Sequence, residues 1–203
     1  MRRVWPGMCL AVIAVVVSGC GSGEKPLDEY VEDLNAVVNQ AGAEYEAIVA
    51  SPQGEVFVAE GAQLSDFTPQ DLQVALERVA AIQVEALAAI EAIEPPDQVA
   101  ELHHLFFREL PFDALAARAG SAADWEELSA SAEMAAYRAA LVADIQVCDD
   151  FKAELDPVTG GGGFAIDAWL SAGLKEVGEA LLGCEAYPAN PEDVYRPPAS
   201  SIP

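Results

Sequence analysis

Residues 68–94 read TPQDLQVALERVAAIQVEALAAIEAIE, which is the clearest helical pattern in this 203-residue chain. Thr68 is a favourable N-cap, Pro69 suits the first helical position, and Asp71 suits the first turn. Apolar residues then recur at three- and four-residue steps to the end of the stretch, where two prolines stop the helix. The pattern predicts a long amphipathic helix that buries one face against other elements.

Similar apolar spacing predicts helices on both sides of this stretch. One helix precedes it at Leu27–Val49, and residues 51–67 between the two are interpreted as a loop. Further helical patterns follow at residues 99–110, 113–119, 125–155 and 166–181, with breaks at Pro111 and at the glycine run 160–163. Amphipathic helices joined by short turns predict an all-α fold, an antiparallel helical bundle of four to five helices.

The first twenty residues have the layout of an export signal. Arg2 and Arg3 precede an apolar run that is too short to span the roughly 30 Å hydrocarbon core of a bilayer as a helix. The run ends in Val17-Ser18-Gly19-Cys20, which resembles the lipobox of bacterial lipoproteins. In that family the cysteine is diacylated on its sulfur, the signal is cleaved just before it, and the new amino terminus is often acylated. The resemblance implies a signal peptide at 1–19 and a lipid on Cys20, which would hold the protein at the extracytoplasmic face of a cell membrane.

Cysteine usage agrees with export. Cys9 lies in the predicted signal and Cys20 is the predicted lipid site, which leaves Cys148 and Cys184 in the mature chain. An even remainder outside the cytoplasm predicts one disulfide. A metal site needs more ligands than two isolated cysteines, and redox-active pairs more usually have the C-x-x-C spacing.

The predicted mature chain is strongly acidic. Without Arg2 and Arg3 it has eight Lys and Arg against 34 Asp and Glu, a net charge of −26. Such a surface repels nucleic acid and keeps a protein soluble. We therefore expect no nucleic-acid partner.

The strongest candidate for a metal motif is Glu101-Leu102-His103-His104, which holds both histidines of the chain. Glu101 and His104 have the Glu-x-x-His spacing that places a carboxylate and an imidazole on one helix face in di-iron bundles. A di-iron site needs this motif twice, and no further histidine exists to supply it. The preferred interpretation is a surface histidine beside a half-buried one, and the alternative is a metal-binding bundle that uses Glu101 and His104.

The segment from Pro95 to His104 is preceded and followed by predicted Ala-rich helices, and a pair of cysteines follows near the end of this layout. Over residues 30–185 this layout resembles a group of uncharacterised helical lipoproteins of GC-rich bacteria. The resemblance implies a fold and a location, and it carries no activity with it.

Four segments are predicted from these observations. They are a signal peptide (1–19), a lipidated tether (20–26), a helical bundle domain (27–186) and a Pro-rich tail (187–203) that we expect to be extended or disordered. The sequence has no nucleophile motif and no phosphate-binding loop. We therefore expect a membrane-anchored, non-catalytic binding or envelope-associated module without a cofactor, whose partner is a protein or a small molecule held between helices.

Overall fold

The computed structural model describes residues 26–58, 61–154, 168–184, 187–188 and 190–196. Within these ranges the chain forms seven α-helices and several short 3-10 turns, and no strand. The helices are α1 (Leu27–Val49), α2 (Pro69–Glu91), α3 (Ala100–His103), α4 (Phe112–Ser121), α5 (Trp125–Ser129), α6 (Ala132–Glu154) and α7 (Ala168–Leu181). Five of these helices have ten or more residues, so the predicted all-α fold is confirmed.

The predicted signal peptide, residues 20–25 of the tether and the glycine run 160–163 lie outside the described residues. None of the helices in the described ranges is long and apolar enough to cross a membrane.

Helix α2 begins as its sequence predicts. The Thr68 hydroxyl accepts a hydrogen bond from the Asp71 backbone N–H, and the Asp71 carboxylate accepts one from the Thr68 N–H at 2.7 Å. This reciprocal pair is a capping box, with Pro69 at the first helical position. The cap fixes where the 23-residue helix starts, and the apolar spacing after it determines which face is buried.

Helices α2 and α4 run antiparallel, as two pairs of contacts show. Gln70, near the start of α2, donates from Nε2 to the Ala122 carbonyl just after α4, at 2.9 Å. Gln83, nearer the end of α2, bonds to the backbone of Leu110 just before α4 begins. The predicted antiparallel arrangement is confirmed for this pair.

The prediction of one helix over residues 99–110 is wrong beyond His103. Helix α3 has only four residues and is followed by a 3-10 turn at His104–Phe106. The Gln83 side chain accepts from the Leu110 N–H at 2.9 Å and donates to the Leu110 carbonyl at 3.1 Å. A side chain from another helix thus replaces the backbone partners that a continuing helix would supply.

The prediction of one helix over residues 125–155 is also wrong, because the chain breaks between α5 and α6. Asp124 caps α5 through the Glu127 N–H at 2.9 Å. The Ser131 hydroxyl then accepts from the Met134 N–H at 3.1 Å, which caps the start of α6. Two local caps in succession favour two helices over one.

The core consists of two apolar clusters. The first cluster is formed by the residues between α1 and α2, the first half of α2, α4, α5 and the first half of α6. The second is formed by α1, the end of α2, α3, the second half of α6 and α7. Tyr187 packs against both clusters.

The prediction that the chain is extended or disordered from Tyr187 onward is wrong for residues 190–196, which we term the strap. The strap contains a 3-10 turn at Pro191–Asp193 and places Tyr195, 9% exposed, in the first core cluster. Residues 197–203 lie outside the described part of the chain. The Pro-rich composition did not predict this structure, because the strap is held by its buried Tyr195 side chain and by hydrogen bonds from Arg138 of α6.

Candidate functional site

Cys148 and Cys184 form the predicted disulfide, with Cα atoms 5.7 Å apart. Cys148 is buried in α6, and Cys184 follows the end of α7. The chain turns at Gly183, whose φ of +67° is a conformation that glycine adopts without a Cβ penalty, and the Cys184 N–H then bonds back to the Glu179 carbonyl at 2.9 Å. The bridge therefore joins a formed helix end to the middle of the second core cluster.

Glu101 and His104 are both exposed. In the part of the chain that the structure describes, no group of three or more His, Cys, Asp or Glu side chains lies close enough to hold a metal. The metal site at Glu101 and His104 therefore stays a prediction, and any further ligand has to come from elsewhere.

His103 points the other way and is buried, 4% exposed. Its Nδ1 lies 2.9 Å from the hydroxyl of Tyr30, a residue of α1 that is fully buried. The rings of Phe106 and Phe107 approach the imidazole edge-on, with centroids 6.1 and 5.2 Å away. The imidazole thus joins α1 to the α3 segment inside an aromatic cluster.

Burial lowers the pKa of His103 because the charged imidazolium loses its hydration. The neighbouring His104 lowers this pKa further, and a hydrogen bond to the backbone of Ile90 acts in the opposite direction. A neutral imidazole accepts the Tyr30 hydrogen at Nδ1 and keeps its own proton on the other nitrogen. This arrangement suits a structural joint, since it leaves neither nitrogen facing a substrate.

A second buried polar group lies where the C-terminal residues meet the bundle. Asp144 of α6 accepts from Nε and Nη2 of Arg108, at 3.0 and 2.9 Å. The Tyr187 hydroxyl donates to the Leu182 carbonyl at 2.6 Å and lies 3.4 Å from the second Asp144 oxygen. Burial, with the adjacent Asp144 charge, raises the pKa of Tyr187 and keeps it protonated. These contacts attach residue 187 to α6 and to Leu182, which directly follows α7.

A third polar group is centred on Arg138 of α6, whose side chain is buried although no acidic partner contacts it among the described residues. Its Nε and Nη2 donate to the Val194 carbonyl of the strap, at 3.1 and 2.7 Å. Its Nη1 and Nη2 donate to the carbonyl and the hydroxyl of Ser129, at 3.1 and 2.9 Å. Desolvation lowers the pKa of Arg138, and the nearby Arg196 adds to this effect.

Aromatic side chains complete this pocket. Tyr195 stacks on Trp125 with ring centroids 6.2 Å apart and ring planes 20° apart. The Trp125 indole N–H donates to the Phe67 carbonyl at 2.9 Å, which fixes the orientation of the ring. Tyr137 belongs to the same core cluster as Tyr195, and burial raises the pKa of both phenols. We term the pocket formed by Trp125, Ser129, Tyr137 and Arg138 the Arg138 site.

A shallow cleft separates α1 from α2. It has a volume of about 70 Å³. Its walls are formed by Val37, Gln40, Ala41, Glu44, Ile82, Glu85, Ala86 and Ala89. Pockets for small organic ligands are typically about 300–1,000 Å³. The cleft is too small for such a ligand.

Comparison of the chain with protein-family models, curated proteins and solved structures finds no match.

The Arg138 site was not predicted from the sequence. Two signals were present in the chain, namely one arginine within an Ala-rich apolar helical stretch and a tyrosine within a Pro-rich tail. An arginine on an otherwise apolar helix face needs acceptors inside the fold. The acceptors here, Ser129 and Val194, are nine and 56 positions away.

Proposed function

We propose that this protein is a lipoprotein anchored at the extracytoplasmic face of a cell membrane, where its helical domain acts as a non-catalytic binding module. The observation that carries the proposal is the lipobox-like Val17-Ser18-Gly19-Cys20 after an apolar run. Each buried methylene contributes about 0.8 kcal/mol, so two or three acyl chains on Cys20 hold a protein stably. The six residues 21–26 extend at most about 20 Å and keep the domain beside the bilayer.

The disulfide supports an extracytoplasmic location. Bonds of this kind persist in oxidising compartments and are rare in the cytoplasm, where thiols are kept reduced. The acidic surface supports a soluble domain held by lipid alone, since it repels anionic head groups as well as nucleic acid.

The buried polar groups of the described residues hold the fold together. Among the described residues, every buried side-chain nitrogen and oxygen has a hydrogen-bond partner. His103, Asp144 and Arg138 each join separate elements of the fold. The cleft between α1 and α2 is too small to hold a small organic ligand between these two helices.

Replacing Cys20 tests the anchor. In wild-type cells we expect the protein in the membrane fraction, whereas Cys20→Ser should leave it soluble or as an uncleaved precursor. Ser22→Ala, which alters a neighbouring residue outside the lipobox, serves as the control and should remain in the membrane fraction. Membrane association of Cys20→Ser at wild-type mass would contradict the proposal.

A further inference from the structure

We infer that the Arg138 site is a peptide-binding site, occupied here by the protein's own strap and open to a partner peptide that offers an aromatic side chain after a free backbone carbonyl. The inference rests on the proposed function, because it names the partner class of the binding module. Its test is carried out in solution and does not depend on the lipid anchor.

The walls of the site are held by contacts that do not involve the strap. Two of the Arg138 nitrogens bond to Ser129, the last residue of α5, and these bonds join α5 to α6. The Trp125 indole is fixed by the Phe67 carbonyl. These contacts remain available to hold the walls of the site when the strap leaves.

The donors that face the strap are unselective. Nε and Nη2 of Arg138 converge on one backbone carbonyl, that of Val194. A guanidinium fork binds any carbonyl or carboxylate oxygen at that point. The flat face of Trp125 accepts an aromatic ring through stacking. A carbonyl followed by an aromatic side chain is thus the minimal feature that the site recognises.

The strap itself is a replaceable occupant. Tyr195 is the one residue of the strap that is buried, while Glu192, Asp193 and Arg196 are exposed. Tyr195 also has a φ of +51°, in the left-handed region that residues with a Cβ rarely adopt. A partner peptide that reaches the same contacts with a relaxed backbone avoids the cost of this strain.

Binding of a synthetic peptide tests the inference. The probe is a fluorescently labelled peptide with the sequence of residues 190–196, NPEDVYR, and the control is the same peptide with Tyr195→Ala. The receptor is the purified full-length protein, in detergent where lipidated, as wild type and as Tyr195→Ala. A tethered occupant has an effective concentration on the order of millimolar. Wild type should therefore bind the labelled peptide at least about tenfold more weakly than Tyr195→Ala.

Two further variants identify the site. In the Tyr195→Ala background, Arg138→Lys keeps the charge but loses the two-pronged contact, and we expect about tenfold weaker binding. Arg78→Ala is the matched control, because Arg78 is exposed on α2 and contacts Ser51 at 3.2 Å, away from the site. Tyr195→Leu, which retains an apolar side chain, is a second strap variant with the same expected gain in peptide binding.

The inference is overturned if the folded strap variants, checked by circular dichroism, bind the peptide no more tightly than wild type. Binding that is insensitive to Arg138→Lys, or to loss of the peptide tyrosine, also overturns it. Fractionation of Cys20→Ser reads out the anchor alone, so failure of the anchor and failure of the peptide site are recognised separately.

Discussion

Replacing Tyr30 with phenylalanine removes one hydroxyl from the interior and leaves the ring in place. Tyr30 is fully buried and His103 is 4% exposed, so water cannot replace the hydrogen bond of 2.9 Å between them. An unsatisfied buried polar atom costs about 1–3 kcal/mol. We therefore expect Tyr30→Phe to lower the free energy of unfolding by about 1–3 kcal/mol.

Urea unfolding followed by circular dichroism at pH 7.5 measures this loss. Tyr45→Phe is the matched control, because Tyr45 is also on α1 but is 43% exposed. A surface substitution of this kind changes stability by less than about 0.5 kcal/mol. For a domain of this size, each kcal/mol lowers the melting temperature by about 2–4 °C, which provides an independent readout.

Unfolding of Tyr30→Phe and Tyr45→Phe at the same urea concentration with the same slope would contradict the predicted loss. That result would mean that the His103 nitrogen has another partner or is hydrated, and that the joint between α1 and α3 does not depend on the Tyr30 hydroxyl.

Four further measurements probe the fold. Burial lowers the pKa of His103 below its unfolded value near 6.5, so the neutral imidazole stabilises the fold fully above that pH and the stabilisation is lost as the pH falls below it. Wild type should therefore lose more stability than His103→Gln between pH 7.5 and 5.5, and equal losses would contradict this prediction. A Cβ at Gly178 would overlap the ring of the fully buried Phe151, so Gly178→Ala should destabilise the protein by about 1–3 kcal/mol in thermal melts. Gly42 lies on the exposed face of α1 with open space where a Cβ would be, so Gly42→Ala should stabilise the protein by about 0.4–1 kcal/mol. If both alanine variants stabilised the protein, or both destabilised it, the described packing around the two glycines would be contradicted. Reduction of the disulfide, which joins residues 36 positions apart, should lower the free energy of unfolding by about 3–4 kcal/mol, because the bridge restricts the denatured chain. A loss below about 1 kcal/mol would contradict this role of the bridge.

The long helices and the disulfide were predictable because their causes are local in the sequence. The Thr68 cap, the apolar spacing after it and the stop at Pro95 all act within one segment, and α2 ends at Glu91, close to the predicted end. The pairing of Cys148 with Cys184 followed from elimination and compartment, without knowledge of the fold.

The end of α3 was not predictable because it depends on a partner elsewhere in the chain, whereas the break between α5 and α6 arises from the local Ser131 cap. Apolar spacing alone does not distinguish a continuous α-helix from one that ends in a 3-10 turn. Helix α3 ends in such a turn at His104–Phe106. The decisive contact is the Gln83 side chain on Leu110, which lies 27 positions away.

The polar groups of the interior were harder still to predict. One of the two adjacent histidines was expected to be half-buried; His103 is buried, and Tyr30, 73 positions away, supplies its hydrogen bond. Arg138 and Tyr195 form one pocket only because the strap returns to α6 across 56 positions. Sequence patterns report faces and caps, whereas these pockets are formed by contacts between distant segments.

The intact mass of the protein recovered from membranes tests the proposed anchor without any substitution. We expect the mass of the chain that begins at Cys20, increased by two or three acyl chains with the linking glyceryl group. A mass equal to the unmodified chain, whether it starts at Cys20 or at Met1, would contradict lipid anchoring.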